Sequence, residues 1–343
     1  MQQISIAEPG SFDRLQLVEA PDPRPRAGEV RVQARACGVN FADVVIRLGL
    51  YESAKKYVGW PITPGFEFSG EVAELGEGVA DLSVGERVFG VTRFGGYSSQ
   101  ICVPRAQLFR VPAALSHAEA ATFPTVHLTA YYALRTILRT RPGEQVLVHS
   151  AAGGVGLAAL QLARADGLLP IGIVGTSSKC DTARAYGASH VIDKSRQKLW
   201  LEVERLAPSG VQYVLESNGA ETLRQSYAHL RPTGRIVVYG FTSMLSRGSG
   251  RPNWLKLAWD FLRTPSFSPL EMVNSNKGVV GFNLSYLFEE QGLLEEAMTR
   301  MLSELAAGAL RALPVAELPL KDAAEAHRAL QSGTTLGKLA LIP

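Results

Sequence analysis

The chain has 343 residues, 46% of them hydrophobic and 20% charged, which is enough for two cored domains. Its net charge of +3 comes without a dense basic stripe, which excludes nucleic acid as a partner, and its three scattered cysteines form neither a disulfide framework nor a Cys-based zinc site. The first residues show no basic n-region or apolar h-region, and the longest nearly uncharged stretch, 146–163, contains three glycines, His149 and Gln161, so a cytoplasmic protein without a membrane span is expected.

Residues 1–123 are rich in Val, Gly and Pro. The run from Glu29 to Arg35 alternates at period two, as a half-buried strand does. Gly70 to Leu75 and Glu86 to Gly90 read as further strands, punctuated by Gly76, Gly78, Gly85, Gly95 and Gly96. An irregular β-rich domain is expected here.

From Pro124 the rhythm changes. A helix is expected near Leu128 to Arg139, then a buried strand from Val146 to Val148. Gly153, Gly154, Val155 and Gly156 follow as a tight turn that opens an apolar helix with Leu157 and Leu160. Strand, Gly-rich turn and helix start make a phosphate cradle, because the helix N-terminus offers unpaired N–H groups and a partial positive charge. Tight packing of helix on strand also selects glycine, so the turn alone does not decide.

Pro170 to Thr176 is the next strand. A site for NAD places Asp or Glu at its end, to hold the ribose 2′-hydroxyl. This chain has Gly175, Thr176, Ser177, Ser178 and Lys179 instead, hydroxyls and an ammonium that suit a 2′-phosphate, so NADPH is expected over NADH. Ser177 equally suits a helix cap. Val191-Ile192, Gln212 to Glu216, Arg235 to Tyr239 and Val279 to Phe282 read as four more strands with helices between them, which argues for a doubly wound parallel sheet. A helix from Leu293 to Leu305 and a strand from Lys338 to Ile342 close the chain and resemble the first domain more than the second. The expected division is therefore 1–123 with 283–343, and 124–282 inserted between them.

The segment 241–278 is long for one crossover. Within it Trp254, Leu257, Ala258, Phe261 and Leu262 share one helical face behind a candidate cap, Asn253, with Arg247, Arg251, Lys256 and Arg263 flanking. Packing on the sheet or a dimer partner is the leading reading; a lid over an apolar substrate and a membrane-surface anchor are the others. His149, ending an apolar strand, reads as a packed, hydrogen-bonded histidine. Cys37 reads as a small buried hydrophobe.

Val39-Asn-Phe-Ala-Asp43, Pro64-Gly-Phe-Glu-Phe-Ser-Gly70, Ala151-Ala-Gly-Gly-Val-Gly156 and Gly337-Lys-Leu-Ala-Leu-Ile-Pro343 together resemble the medium-chain dehydrogenase/reductase superfamily, over essentially the whole chain. They are similar to its zinc-independent quinone oxidoreductases of the zeta-crystallin type. Residues 253–259 and 281–286 look closer to the VAT-1-like branch. The resemblance implies a GroES-like β-rich catalytic domain, a Rossmann domain, NADPH between them, and a homodimer formed by pairing Rossmann edge strands. Zinc-dependent relatives carry a ligand Cys at the position of Asn40 and a ligand His at that of Phe66. A catalytic zinc needs about three protein ligands, so no metal is expected.

Without a Lewis acid the acceptor must already be activated, which fits a quinone or an α,β-unsaturated carbonyl whose developing oxyanion needs only hydrogen-bond donors. The resemblance carries Asn40 over as that donor, Asp43 as its orienter, Tyr51 as a phenolic donor or ring platform, and Thr63 as a pocket residue. Asn40 as a turn residue and Tyr51 as a loop anchor are the competing structural readings. For the coenzyme it carries over Thr129, Gly153 to Gly156, Gly175, Thr176, Ser177, Lys179, Asn218, Gly240, Phe241, Phe282 and Asn283. Asp193 and Lys194 stand where relatives place a Tyr against the 2′-phosphate, and Lys194 is the electrostatic substitute. Three functions compete: an NADPH-dependent quinone or enone reductase; a conventional alcohol dehydrogenase, disfavoured by the missing metal ligands; and a VAT-1-like NADPH-binding protein with little catalysis, acting at membranes or as a lipid or protein partner.

Overall fold

The fold is described from a computed structural model, which covers residues 1–248 and 250–343. In chain order the first strands are β1 (Gln2–Ser5), β2 (Gln16–Glu19), β3 (Glu29–Val39), β4 (Glu67–Leu75), β5 (Arg87–Val91), β6 (Gln100–Pro104) and β7 (Leu108–Arg110). Helices α1 (Phe41–Arg47), α2 (Glu52–Tyr57), α3 (His117–Thr122) and α4 (Pro124–Tyr131) are interleaved with or follow them. Then strands and helices alternate: β8 (Gln145–Val148), α5 (Gly154–Ala165), β9 (Leu169–Val174), α6 (Cys180–Ala185), β10 (His190–Asp193), α7 (Leu199–Leu206), β11 (Val211–Glu216), α8 (Leu223–Ala228) and β12 (Leu230–Val238). The insertion carries α9 (Trp254–Arg263) and α10 (Pro269–Ser275) before β13 (Gly278–Gly281). The chain closes with α11 (Gln291–Ala306), β14 (Val315–Pro319), α12 (Ala323–Ser332) and β15 (Lys338–Ile342).

Two large sheets result. One has the order β10-β9-β8-β11-β12-β13, with all its pairings parallel, which is the doubly wound Rossmann arrangement. Its central strands are continuous apolar runs because helices cover both faces; all six residues of β11 are buried. The other is the β-rich, GroES-like sheet, ordered β14-β15-β3-β4-β5-β7 with β6 on β3. There β3 alternates inward and outward from Glu29 to Ala34, as its period-two pattern requires. β15 returns to pair antiparallel with β3, so the two ends of the chain share one sheet.

Several expected boundaries move. The helix expected at Leu128 starts earlier, at Pro124, since proline is preset for a first helical position; from Tyr132 to Leu138 it continues with wider π-helical winding. β12 begins at Leu230 rather than Arg235. α11 packs on both α4 and the Arg105–Gln107 turn, with Ala297, Met298 and Met301 buried. The sheets meet where Gly337 N donates to Ala152 O (3.0 Å), next to the glycine turn before α5.

Candidate active site

A cleft of about 820 Å³ runs between the two sheets, past the carboxyl ends of the parallel strands. Ligands of open α/β sheets bind at that edge. Gly153 to Gly156 form one wall. The cap of α5 is Gly153, which has no side chain to satisfy the first turn, so the N–H groups of Gly154, Val155 and Gly156 lack a helical acceptor. The glycines differ in what they do. A Cβ on Gly156 would lie 2.3 Å from Ser150 O, so packing alone demands that glycine. A Cβ on Gly175 would meet nothing within 4 Å, and Gly175 lines the cleft. That bare position is a cradle a side chain would fill.

Beyond β9, Lys179 and Lys194 line the cleft. Lys179 Nζ donates to Gly333 O (2.8 Å) and Thr335 O (2.7 Å), and burial, then the charge of Arg247, holds its pKa below the usual lysine range. Lys194 lies 4.0 Å from Glu221. Thr176 Oγ1 is 3.2 Å from Ser178 Oγ. Ser177 neither caps a helix nor keeps a free hydroxyl: it donates to Asp193 Oδ2, while Asp193 Oδ1 accepts from Ser195. The Asp193 carboxylate is thus taken up by Ser177 and Ser195.

On the floor, three chain segments converge on Asn40. Its Nδ2 donates to Glu67 Oε1 (2.8 Å), and its Oδ1 accepts from Lys338 Nζ (2.7 Å). Lys338 Nζ also donates to Glu67 Oε1 (2.8 Å) and Val39 O (2.7 Å), and Thr125 N donates to Glu67 Oε2 (2.7 Å). Both amide ends are therefore fixed, and one N–H of Asn40 is left over. Asn40 and Lys338 line the cleft, though each is under a tenth exposed. Lys338 and Glu67 were missed as site residues; the signals were a lysine opening an apolar strand and a glutamate inside the Pro64–Gly70 motif. Asp43 sits behind, fully buried, accepting from Asn40 N (2.8 Å), Gly65 N (2.9 Å) and the Tyr97 hydroxyl (3.0 Å). Burial nonetheless pushes its pKa up to about 7. It orients the Asn40 backbone and does not face the cleft.

A second group lies away from the cleft lining. The Tyr51 hydroxyl donates to Asn283 Oδ1 (2.8 Å), and its ring meets Phe66 edge-on at 5.8 Å. Phe282 packs on Tyr132 (5.0 Å). Thr63 accepts from Gly95 N through its carbonyl, and Thr129 Oγ1 donates to Thr125 O. Asn218 does line the cleft, with its Oδ1 accepting from Ser150 Oγ (3.2 Å). Gly240 passes close to Ser217 O, and Phe241 covers Gly219. His149 is buried, within 2.9 Å of Ser226 Oγ, and burial lowers its pKa: it is the packed histidine expected. Cys37 is buried too, its thiol pushed up to about 12.

The insertion does not pack its apolar face on the sheet of its own chain. α9 is capped by Asn253, as expected, but turns its polar Lys256–Asp260 pair inward, with Lys256 also donating to Ser243 O. Trp254, Phe261 and Leu262 are exposed, Leu262 by 78%, and of the named face only Leu257 is half-buried. Sequence periodicity defines a face but not which side of it meets the protein. Among the described residues no group of three or more His, Cys, Asp or Glu is placed to hold a metal ion. No described helix is long and apolar enough to cross a membrane.

Comparison with known proteins gives two family matches: "Alcohol dehydrogenase GroES-like domain" over residues 26–113 and "Zinc-binding dehydrogenase" over residues 154–258. The rat "Synaptic vesicle membrane protein VAT-1 homolog" is 34% identical over 97% of this chain and 82% of its own length. "Quinone oxidoreductase 1" of Escherichia coli is 33% identical over 99% of both. The crystal structure of Escherichia coli quinone oxidoreductase complexed with NADPH superposes with a TM-score of 0.85 at 32% identity, covering 100% of both chains. That of the CurK enoyl reductase gives 0.85 at 30%, covering 99% of this chain and 98% of that one.

Proposed function

Because this chain is an oxidoreductase of the medium-chain dehydrogenase/reductase superfamily, of its quinone oxidoreductase type and VAT-1-like branch, we propose that it uses NADPH, with no bound zinc, to reduce a quinone or an α,β-unsaturated carbonyl. The observation that carries this reading is the pairing, in one cleft, of the unsatisfied N-terminus of α5 with the fixed amide of Asn40. Two relatives, named as a quinone oxidoreductase and an enoyl reductase, support the acceptor class.

When bound, NADPH supplies the hydride. The chain's own contribution is binding, orientation and charge. The first-turn N–H groups of α5 and its dipole would hold the diphosphate, with Gly153 presenting no side chain there and Gly175 none on the adenosine-phosphate side. Lys179 and Lys194 favour a phosphorylated ribose. Asn40 turns its remaining N–H to the acceptor oxygen, where negative charge develops, and the Lys338 ammonium on its Oδ1 strengthens that dipole. Asp43 faces inward, so the proton comes from solvent. Tyr51 and Thr63 keep a supporting place in this reading, with Asn283, Phe282 and Thr129 on the nicotinamide side and Asn218, Gly240 and Phe241 along the strand ends.

In the same reading the chain divides into 1–123 with 283–343 and 124–282, and works in the cytoplasm. It pairs as a homodimer through the outer edge of β13, whose one partner strand among the described residues is β12. A second reading, in which the protein binds NADPH with little turnover and acts at membranes or on a lipid or protein partner, is favoured by the exposed apolar residues of α9 and the VAT-1 similarity. The deciding experiment mixes the purified chain with NADPH and a panel of ortho-quinones, para-quinones and enones, and follows absorbance loss. Turnover well above the uncatalysed rate, unaffected by a chelator, is expected. Tight NADPH binding with no turnover across the panel would displace the reductase for the second reading, which liposome flotation then tests.

A further inference from the structure

Arg247 sits on the strap of chain that crosses from the parallel sheet to the GroES-like one. Ser243 Oγ is tied to Asn218 O (2.6 Å) and Leu245 is buried against Val44 and Leu48. On either side of Arg247, Ser246 O accepts from Gln331 Nε2 (2.8 Å) and Gly250 O from Arg47 Nη1 (2.8 Å). The backbone flanking Arg247 is pinned, yet its exposed guanidinium lines the cleft and makes no hydrogen bond or ion pair among the described residues.

Its Nε lies 3.8 Å from where a Cβ would stand at Gly333, the residue whose carbonyl accepts from Lys179. Gly333 has φ +74°, a conformation that favours glycine, and its missing side chain leaves this corner open. Two cations thus share the corner where the strand-end residues Gly175 to Lys179 meet the strap, and among the described residues no carboxylate is within ion-pair range of either. Three other donors there are engaged. Lys179 spends two of its three N–H groups on carbonyls, Ser177 serves Asp193, and Lys194 leans on Glu221. Among the described residues Arg247 keeps a whole guanidinium, with five donors in a fork that suits a phosphate. Like charges left side by side without an anion repel, and a dianion between them would remove that cost.

We propose that Arg247 is the specificity-determining contact for the 2′-phosphate of the coenzyme, with Lys179 as the second charge. The assignment rests on the reading that the chain binds NADPH. It places the discriminating residue on the inserted strap, not at the strand end where sequence patterns look for it.

The test is calorimetric titration of the full chain, wild type, R247A and R247K, with 2′,5′-ADP and with 5′-ADP. Wild type should bind 2′,5′-ADP more tightly. R247A should weaken 2′,5′-ADP by about 10- to 100-fold and change 5′-ADP by less than about twofold, with R247K between, since a lysine keeps the charge and loses the fork. The thermal midpoint of R247A should match wild type, because the side chain makes no hydrogen bond or ion pair among the described residues. Equal losses on both probes would assign Arg247 to the 5′-phosphate they share and overturn the proposal; so would R247A retaining the wild-type preference. If wild type bound neither probe nor NADPH, the coenzyme reading itself would fall, which is a separate and recognisable result.

Discussion

The floor of the cleft and its outer corner treat cations in opposite ways. On the floor, Lys338 is buried and surrounded: a carboxylate, a carbonyl and an amide oxygen each lie within 2.8 Å of Nζ. At the corner, among the described residues, Lys179 meets only carbonyls and Arg247 meets no acceptor. The floor is neutralised by the protein itself and fixes Asn40 before any ligand arrives. The corner carries uncompensated charge that an anionic ligand would complete. One cleft therefore has a preorganised end for chemistry and an unfinished end for recognition.

The largest expected effect breaks the finished end. Lys338→Met leaves the buried Glu67 carboxylate without its cation and should cost about 3–5 kcal/mol in denaturant unfolding, with a good part recovered in the Lys338→Met/Glu67→Gln double variant. A loss below about 1 kcal/mol would mean that the floor is not the neutralised network described. Next come the glycines, which separate packing from binding. Gly156→Ala drives a Cβ against Ser150 O and should destabilise by about 1–3 kcal/mol. Gly175→Val projects into open cleft, so stability should stay within about 0.5 kcal/mol while NADPH affinity drops about tenfold or more.

A smaller effect concerns pH. Burial lowers the pKa of His127 to about 4 and that of His327 to about 3, and each has an unpartnered ring nitrogen. Between pH 6.5 and 4 the unfolded chain binds two protons that the folded chain refuses, so stability is lost as pH falls. Asp43 acts the other way: its folded pKa of about 7 makes the folded chain hold a proton the unfolded chain has released. Two imidazoles against one carboxyl leave a net loss on acidification. The denaturant midpoint should fall from pH 7 to pH 5, and a rise would contradict neutral burial of the imidazoles. The smallest effect is at α9: Leu262→Ser, at an exposed site, should move stability by less than about 0.5 kcal/mol.

The parallel sheet was legible because its strands are apolar runs closed by glycine turns, a local signal. The return of the last strand to the first domain was legible too, and β15 does pair with β3. The floor was not. Asn40, Glu67 and Lys338 lie 27 and 298 residues apart from Asn40 outward, and only the sheet register brings them together. The corner was half legible: Lys179 stands at the expected strand end, but Arg247 comes from the insertion, whose path across the cleft no periodicity describes. α9 shows the same limit: its periodicity defines an apolar face, but the inward Lys256–Asp260 pair, not the periodicity, decides which side meets its own chain.

The most direct test of the central claim is calorimetric titration of the full, metal-free chain with NADPH and with NADH. One saturable site per chain, with NADPH tighter by about tenfold or more, is the predicted result. Absence of binding by either coenzyme, or binding and turnover only after stoichiometric zinc is supplied, would contradict it.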